Sequence, residues 1–338
     1  MAEEQKKEQS STPPKVDRFQ GLSKDLANEI QEYEILYFKE DLPVPFGKLN
    51  IYPATVRDYE KFTLSSSCLT FNKNETPEGI RMTNLDFLIT KLTDPKEGPK
   101  WSYQLHSLLE TVFHIKNGLK CKKCGHVIEY QSKEFVDFVK KIQEIAALPK
   151  GQLPGKEDLP HLTCPECGNQ DDTQYVEMVR TVKNDKNHYD LYVDEQLITS
   201  NDFNRLKQII LFQNFVDYRD DSWVDPDIKK DYESRLELEA KKSNHAAASL
   251  ERKIVALSVT TNYKLSEIYD MTIRKFTMAL GLVDDLINYK IMRSAMMSGF
   301  VSFGKDFKLE HWLYKTEKDM YGDSYKTTDQ AIDEAKNT

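Results

Sequence analysis

Two segments decide how the middle of this chain must fold: Cys121-Lys122-Lys123-Cys124-Gly125 and Cys164-Pro165-Glu166-Cys167-Gly168. Each sets two sulfurs on one tight turn. The glycine after the second cysteine can adopt the left-handed backbone that lets such a loop curl around a cation. Cys121, Cys124, Cys164 and Cys167 are therefore read as the four ligands of a closed tetrahedral site, and the expected ion is zinc. With every position filled by thiolate there is no opening for water, so the ion is expected to be structural rather than catalytic. A redox dithiol would need only one pair and a thioredoxin-like setting, which the surrounding sequence lacks. His126 and His161 lie beside the knuckles and are the alternative donors, but a full sulfur set leaves them no place.

Outward from the knuckles, residues 125–163 form a spacer about twice as long as a ribbon usually carries. Part of that excess reads as a helix: in 132–148, Phe135, Phe138, Val139, Ile142 and Ile145 recur at helical spacing. A Pro/Gly-rich loop follows, with Pro149, Gly151, Pro154, Gly155 and Pro160. The result is a zinc ribbon with a helical insertion at 131–160. Val127–Tyr130 reads as a strand after the first knuckle, and Thr173–Val179 as extended chain after the second.

Upstream, residues 22–40 suit a short helix, and Val44–Pro53 reads as extended because proline drives its predecessor towards β geometry. Thr55–Tyr59 looks like a cap and helix start. Two amphipathic helices are expected between 80 and 115. One carries Leu85, Leu88, Ile89 and Leu92; the other carries Tyr103, Leu105, Leu108, Leu109, Val112 and Phe113. Pro95, Gly98 and Pro99 separate them. Downstream, Asp202 is expected to cap a helix over Phe203–Phe215. Asp217–Lys242 reads as a solvated acidic linker leading into a charged helix from Pro226. Ala246–Ala256, Leu265–Tyr269 and Thr272–Met297 read as further helices. The last of these holds Met278, Met292, Met296 and Met297, adaptable apolar groups suited to a core or to a binding face.

The fold class is thus α+β and mostly helical, with a four-cysteine zinc ribbon and a helical C-terminal domain. The expected divisions are a disordered leader at 1–20, an N-terminal α+β region at 21–115, the zinc-ribbon module at 116–200, a helical domain at 201–325 and a flexible tail at 326–338. The chain has 338 residues, 39% hydrophobic and 30% charged, so a sizeable core is within reach. No apolar run approaches the ~20 residues that span a bilayer, and the first residues lack the apolar stretch of a secretory signal. The paired cysteines suit a reducing compartment with bound metal.

Composition and motifs also narrow the function. A formal charge of −8 argues against wholesale nucleic-acid binding. Lys116, Lys120, Lys122 and Lys123 near the first knuckle could grip phosphates, or simply offset the negative charge of a tetrathiolate zinc. No glycine-rich phosphate loop, His-Glu-x-x-His or Ser-x-x-Lys occurs. Asp217, Asp220, Asp221, Asp225 and Asp227 lack the alternation and glycine of a calcium loop. An enzyme is not expected.

Several segments together resemble a known family. They are Asn50-Ile-Tyr-Pro-Ala-Thr-Val-Arg-Asp58, Asp202-Phe-Asn-Arg-Leu-Lys-Gln-Ile-Ile-Leu-Phe-Gln-Asn214, Asp225-Pro-Asp227, Tyr263-Lys-Leu-Ser-Glu-Ile-Tyr-Asp-Met-Thr-Ile-Arg-Lys-Phe276 and Phe307-Lys-Leu-Glu-His-Trp-Leu313. Their order resembles the tail-cluster proteins of tailed bacteriophages, chiefly those of Gram-positive hosts. The Cys-x-x-Cys turn after a leucine-rich helix is also similar to baseplate-hub assembly proteins of large contractile-tailed phages. The insertion at 131–160 belongs to neither pattern. The resemblance implies a non-enzymatic protein that assists baseplate or tail assembly, as chaperone or minor structural component. It implies other tail or baseplate proteins as partners, and a place in the host cytoplasm during assembly or in the virion tail. The competing reading from the ribbon and its lysines is a nucleic-acid-binding, transcription-related phage factor.

Overall fold

The computed structural model describes residues 18–71, 73, 76–148, 159–185, 187–242, 248–298, 300–304, 307, 309 and 311–313. Most of the expected leader, the whole of the expected tail, residues 149–158 of the Pro/Gly-rich loop and the first two residues of Ala246–Ala256 lie outside them. The chain is 54% helical and 12% strand, an α+β protein in which helices dominate. The described residues form two compact units. The larger comprises Ser23–Asp217 and Tyr263–Thr277, the smaller residues 18–22, 218–262 and 278–313.

The larger unit begins with α1 (Lys24–Tyr33), capped by the Ser23 hydroxyl accepting from Leu26 N at 3.3 Å, and continues into a π-helical turn, Glu34–Phe38. The segment read as extended is a hairpin of β1 (Val44–Phe46) and β2 (Leu49–Ile51), reversing at Gly47, whose φ of +63° favours glycine. A 3₁₀ turn, Val56–Asp58, leads into α2 (Tyr59–Ser66); then come the short α3 (Pro77–Ile80), α4 (Asn84–Leu92) and α5 (Gly98–Phe113). Both amphipathic helices are where periodicity placed them, with two differences. Gly98 and Pro99 open α5 rather than preceding it, because proline's missing N–H is unpaired in a first turn anyway. Tyr103, assigned to the apolar face, is 66% exposed.

After α5 come β3 (Gly118–Cys121), β4 (Val127–Glu129), α6 (Lys133–Ala146) and β5 (Tyr175–Glu177). A second sheet follows that periodicity did not reveal: an antiparallel meander of β6 (Val179–Lys183), β7 (Tyr189–Val193) and β8 (Gln196–Ile198). Its β7–β8 turn is Asp194-Glu195, both at positive φ. The tight hairpin geometry is present without the Asn-Gly pair that usually signals it.

Helix α7 (Ser200–Asn214) runs through the centre, with Phe203, Leu206 and every residue from Lys207 to Asn214 buried. Its N-cap is Thr199, not Asp202. Asp202 sits one turn in, its carboxylate accepting from Thr199 N at 3.1 Å while the Thr199 hydroxyl accepts from Asp202 N at 3.4 Å. This reciprocal box satisfies two unpaired N–H groups, which one capping Asp would not do. Phe62, Leu85, Leu108, Val112, Phe203 and Phe212 lie buried in this core.

The late segment of the larger unit closes against its early one. Val56 N donates to Met271 O at 2.9 Å, Ile273 N donates to Ala54 O at 2.9 Å, and Ala54 N donates to the Asn214 side chain at 2.7 Å. Here lie α10 (Leu265–Asp270) and the first turn of the long α11 (Ile273–Ser298). Arg274 is buried, donating to Phe212 O at 2.9 Å and paired with Glu34.

The smaller unit contains α8 (Pro226–Lys242), α9 (Leu250–Thr261) and the rest of α11. The stretch read as a solvated linker is folded in part. Asp220 is 7% exposed, Val224 is buried, and Gly21, at φ +91°, lies against the Trp223 ring. The cause is local: the Asp220 carboxylate accepts from Ser222 N at 3.0 Å, and Asp221 pairs with Lys229 at 2.9 Å. No helix among the described residues is long and apolar enough to cross a membrane.

Candidate metal centre

The ribbon is an antiparallel sheet of order β4-β3-β5, with Leu119 opposite both Ile128 and Glu177. Cys121 ends β3, so the first knuckle turns from that strand towards β4; the second stands just ahead of β5. Their backbones repeat one pattern. Cys121 N donates to His126 O at 2.8 Å and Gly125 N to Cys121 O at 2.8 Å; Cys164 N donates to Asn169 O at 2.9 Å and Gly168 N to Cys164 O at 2.9 Å. Gly125 and Gly168 have φ of +79° and +66°. A Cβ on either would meet nothing within 4 Å, so glycine is required by the backbone angle, not by crowding.

The two knuckles bring the four sulfurs together. The Cys121 and Cys167 Sγ atoms are 3.7 Å apart, those of Cys124 and Cys164 are 3.5 Å apart, and all four lie within 4.8 Å of one another. A tetrahedron with Zn–S bonds of about 2.3 Å has S···S edges of about 3.8 Å. The separations match such a site and are far beyond the ~2.05 Å of a disulfide. Four soft donors in this arrangement can hold a metal ion, and zinc suits the set. Neither histidine joins it. The His126 imidazole lies 3.9 Å from Glu166, and that of His161 lies 3.3 Å from Asp172.

Electrostatics favour a cation. Burial raises the Cys164 thiol, but the backbone N–H groups of Cys167 and Glu166, with the neighbouring sulfurs, bring it down to about 7. At Cys124 the His126 amide favours thiolate, yet desolvation and the three other cysteines push it up to about 12. Four thiols this close cannot all ionise alone; a bound divalent ion makes deprotonation favourable for the whole set. Tyr175 ties the lobe together. Its hydroxyl donates to Asn169 O at 2.8 Å and lies 3.1 Å from Leu162 O, holding the second knuckle on the sheet.

Three lysines near the first knuckle are engaged locally. Lys116 pairs with Glu129 at 2.7 Å, Lys120 pairs with Asp194, and the Lys122 ammonium lies 3.4 Å from Thr173 O. The insertion helix α6, by contrast, is spread on the surface. The Ser132 hydroxyl caps it by accepting from Phe135 N at 3.3 Å, but it buries none of its residues. Phe135 packs on Tyr130 at 4.9 Å between ring centres, while Val136 and Ile142 are exposed.

The sequence did not reveal one polar site in this unit. Asp86, nearly buried at the start of α4, accepts from Tyr189 N at 2.8 Å, from the Thr83 hydroxyl at 2.8 Å and from His188 Nδ1 at 2.7 Å. These bonds, led by the Tyr189 amide, outweigh burial and hold its carboxyl below the usual range. The site joins α4 to β7. Its residues are a hundred positions apart in sequence, so no local signal could have found it.

Residues 240–317 match the family model described as the YomV second domain, YomV being a protein of the Bacillus phage SPbeta region. A phage-associated domain is present. It covers the end of α8, α9, α10, α11 and the segment after them, and leaves the metal ribbon outside. No curated protein and no solved structure matches the chain.

Proposed function

We propose that this chain is a non-enzymatic phage tail protein that assists baseplate or tail assembly through protein–protein contacts, as an assembly chaperone or a minor structural component. The observation that supports this reading is the coincidence of the phage-family segment with a long helix left almost wholly unburied: α11 buries only Ile273, Arg274 and Phe276. A protein that works by contact needs apolar surface carried on stable supports. The open face of α6 adds a second such surface on the ribbon. Zinc, held by Cys121, Cys124, Cys164 and Cys167, stiffens the lobe that carries α6. The expected partners are other tail or baseplate proteins, met in the host cytoplasm during assembly or in the virion tail. The local pairing of Lys116 and Lys120 counts against a phosphate-gripping role for the ribbon.

The test is recovery of the tagged chain from infected cells. Tail or baseplate proteins should co-purify, and deletion of the gene should yield defective tails. A chain that purifies alone, together with intact tails after deletion, would overturn the proposal. Binding to DNA or RNA that weakens steeply with salt would favour the nucleic-acid reading instead.

A further inference from the structure

At the end of α5 the chain reverses through His114, at φ +53°, and runs back into β3. Asn117 on that return, with Tyr130 and Gln131 where the chain leaves β4, faces the side of α5 that carries Ser102, Tyr103, His106 and Glu110. The two ends of the β3–β4 hairpin are fastened together, Tyr130 N donating to Asn117 O at 3.1 Å. Two adjoining cavities, of about 270 Å³ and 370 Å³, share Glu110, Asn117, Tyr130 and Gln131 and make one groove. The larger is of the size at which small-molecule sites begin. Tyr103, exposed although helical spacing put it on the apolar face, lines this groove.

Many of its polar groups are uncommitted. His106 Nδ1 lies 2.8 Å from Ser102 O. A carbonyl only accepts, so in the neutral ring Nδ1 carries the hydrogen and Nε2 is left as an acceptor. Among the described residues, the side-chain amides of Asn117 and Gln131 and the Tyr130 hydroxyl have no partner. Glu110 binds Lys61 through Oε2 at 3.0 Å, which leaves Oε1 to accept. Burial, with the Glu177 charge second, pushes the Tyr130 hydroxyl up to about 12, so it keeps its proton and can donate at neutral pH.

Charge narrows the ligand. Lys116, the cation of the lining, is held by Glu129 at 2.7 Å, and Glu110 is balanced by Lys61. No positive charge is left over for a phosphate or a carboxylate. An apolar ligand would strand the amides and the hydroxyl without partners. A peptide strand needs hollows for its alternate side chains, whereas the four residues common to both cavities are all polar. A sugar ring meets each of these conditions. Its neighbouring hydroxyls each donate and accept, matching a planar amide or carboxylate two at a time, and its C–H face packs on a tyrosine ring.

We propose that the groove between α5 and the β3–β4 hairpin binds a neutral carbohydrate, with Asn117, Gln131 and Glu110 bonding its hydroxyls and the Tyr103 ring against its apolar face. The assembly role neither requires this site nor depends on it.

The test titrates the full chain with three neutral probes, maltotriose, cellotriose and tri-N-acetylchitotriose, and follows its backbone amides by NMR. At least one probe should bind with a millimolar or tighter Kd. It should move the amide signals of 115–117 and 129–131 and leave those of α7 in place. Asn117→Ala and Gln131→Ala should each weaken that binding about tenfold, the loss expected for a hydrogen bond or two. Tyr103→Ala should weaken it several-fold. Lys123→Ala, exposed on the first knuckle, should leave it unchanged, with circular dichroism confirming that the variants fold. The amide shifts are read on the native chain, so they locate the site even where a variant does not fold. The proposal is overturned if no probe binds at millimolar concentration, or if binding is indifferent to both Asn117→Ala and Gln131→Ala. It is equally overturned if inorganic phosphate or an alanine tripeptide binds there more tightly than every sugar.

Discussion

The larger unit contains two regions held by different forces. Around α7 the chain buries aromatic and aliphatic side chains in bulk: Phe62, Phe203, Phe212 and Phe276 are each at most 1% exposed. In the ribbon the strands are three or four residues long, α6 buries nothing, and two of the few buried groups are cysteines of the metal set. A core of the first kind is sustained by apolar area removed from water. The second has too little such area, and an ion held by the four sulfurs would supply the folding free energy it lacks. One compact unit therefore has two independent points of failure.

Removal of the metal should have the largest effect. Structural zinc contributes about 10–16 kcal/mol to the folding of small zinc peptides at neutral pH. Cys121→Ser or Cys164→Ser should abolish stoichiometric metal and expose the amides of 118–129 and 162–177 to rapid hydrogen exchange, while those of α7 stay protected. Equal loss of protection in both regions would erase the distinction. Next is Phe212→Ala, which leaves a cavity in the core and should cost about 3–5 kcal/mol in denaturant unfolding, with metal content retained.

Asp86→Ala should cost about 2–3 kcal/mol, because it leaves the Tyr189 amide and its companions without their acceptor. The pH dependence has a definite sign. The folded carboxyl lies below its ordinary range, so its contribution is complete above about pH 4 and is lost as pH falls through the lowered value. Asp86→Ala should therefore flatten the acid side of the stability curve; an unchanged acid limb would count against the Asp86 network. The smallest effect is expected of Thr199→Ala, about 1 kcal/mol, through loss of the reciprocal cap on α7. A change that small should leave metal binding untouched.

What could be read from the sequence follows from range. The knuckles were legible because their chemistry is local: two cysteines and a glycine within five positions specify a turn and a ligand pair. The helices α4, α5 and α6 were legible because apolar spacing alone places them. The meander of β6, β7 and β8 was not, since its strands are short and one hairpin turns on Asp194-Glu195 in place of a glycine pair. The start of α7 was placed late because Asp202 is itself a good cap, and only the reciprocal bonds with Thr199 show which residue has that role. The Asp86 site and the Arg274–Glu34 pair join residues far apart in sequence, and neither could be foreseen. In α11 the apolar spacing suited a core or a binding face alike, and the helix buries only Ile273, Arg274 and Phe276.

The central claim is that four cysteines from two distant knuckles enclose one structural ion. It is tested most directly by elemental analysis of the purified chain with a Cys124→Ser, Cys167→Ser control. About one zinc per chain, absent from the control, is the expected result; a native chain without stoichiometric metal, folded over 118–177 all the same, would contradict it.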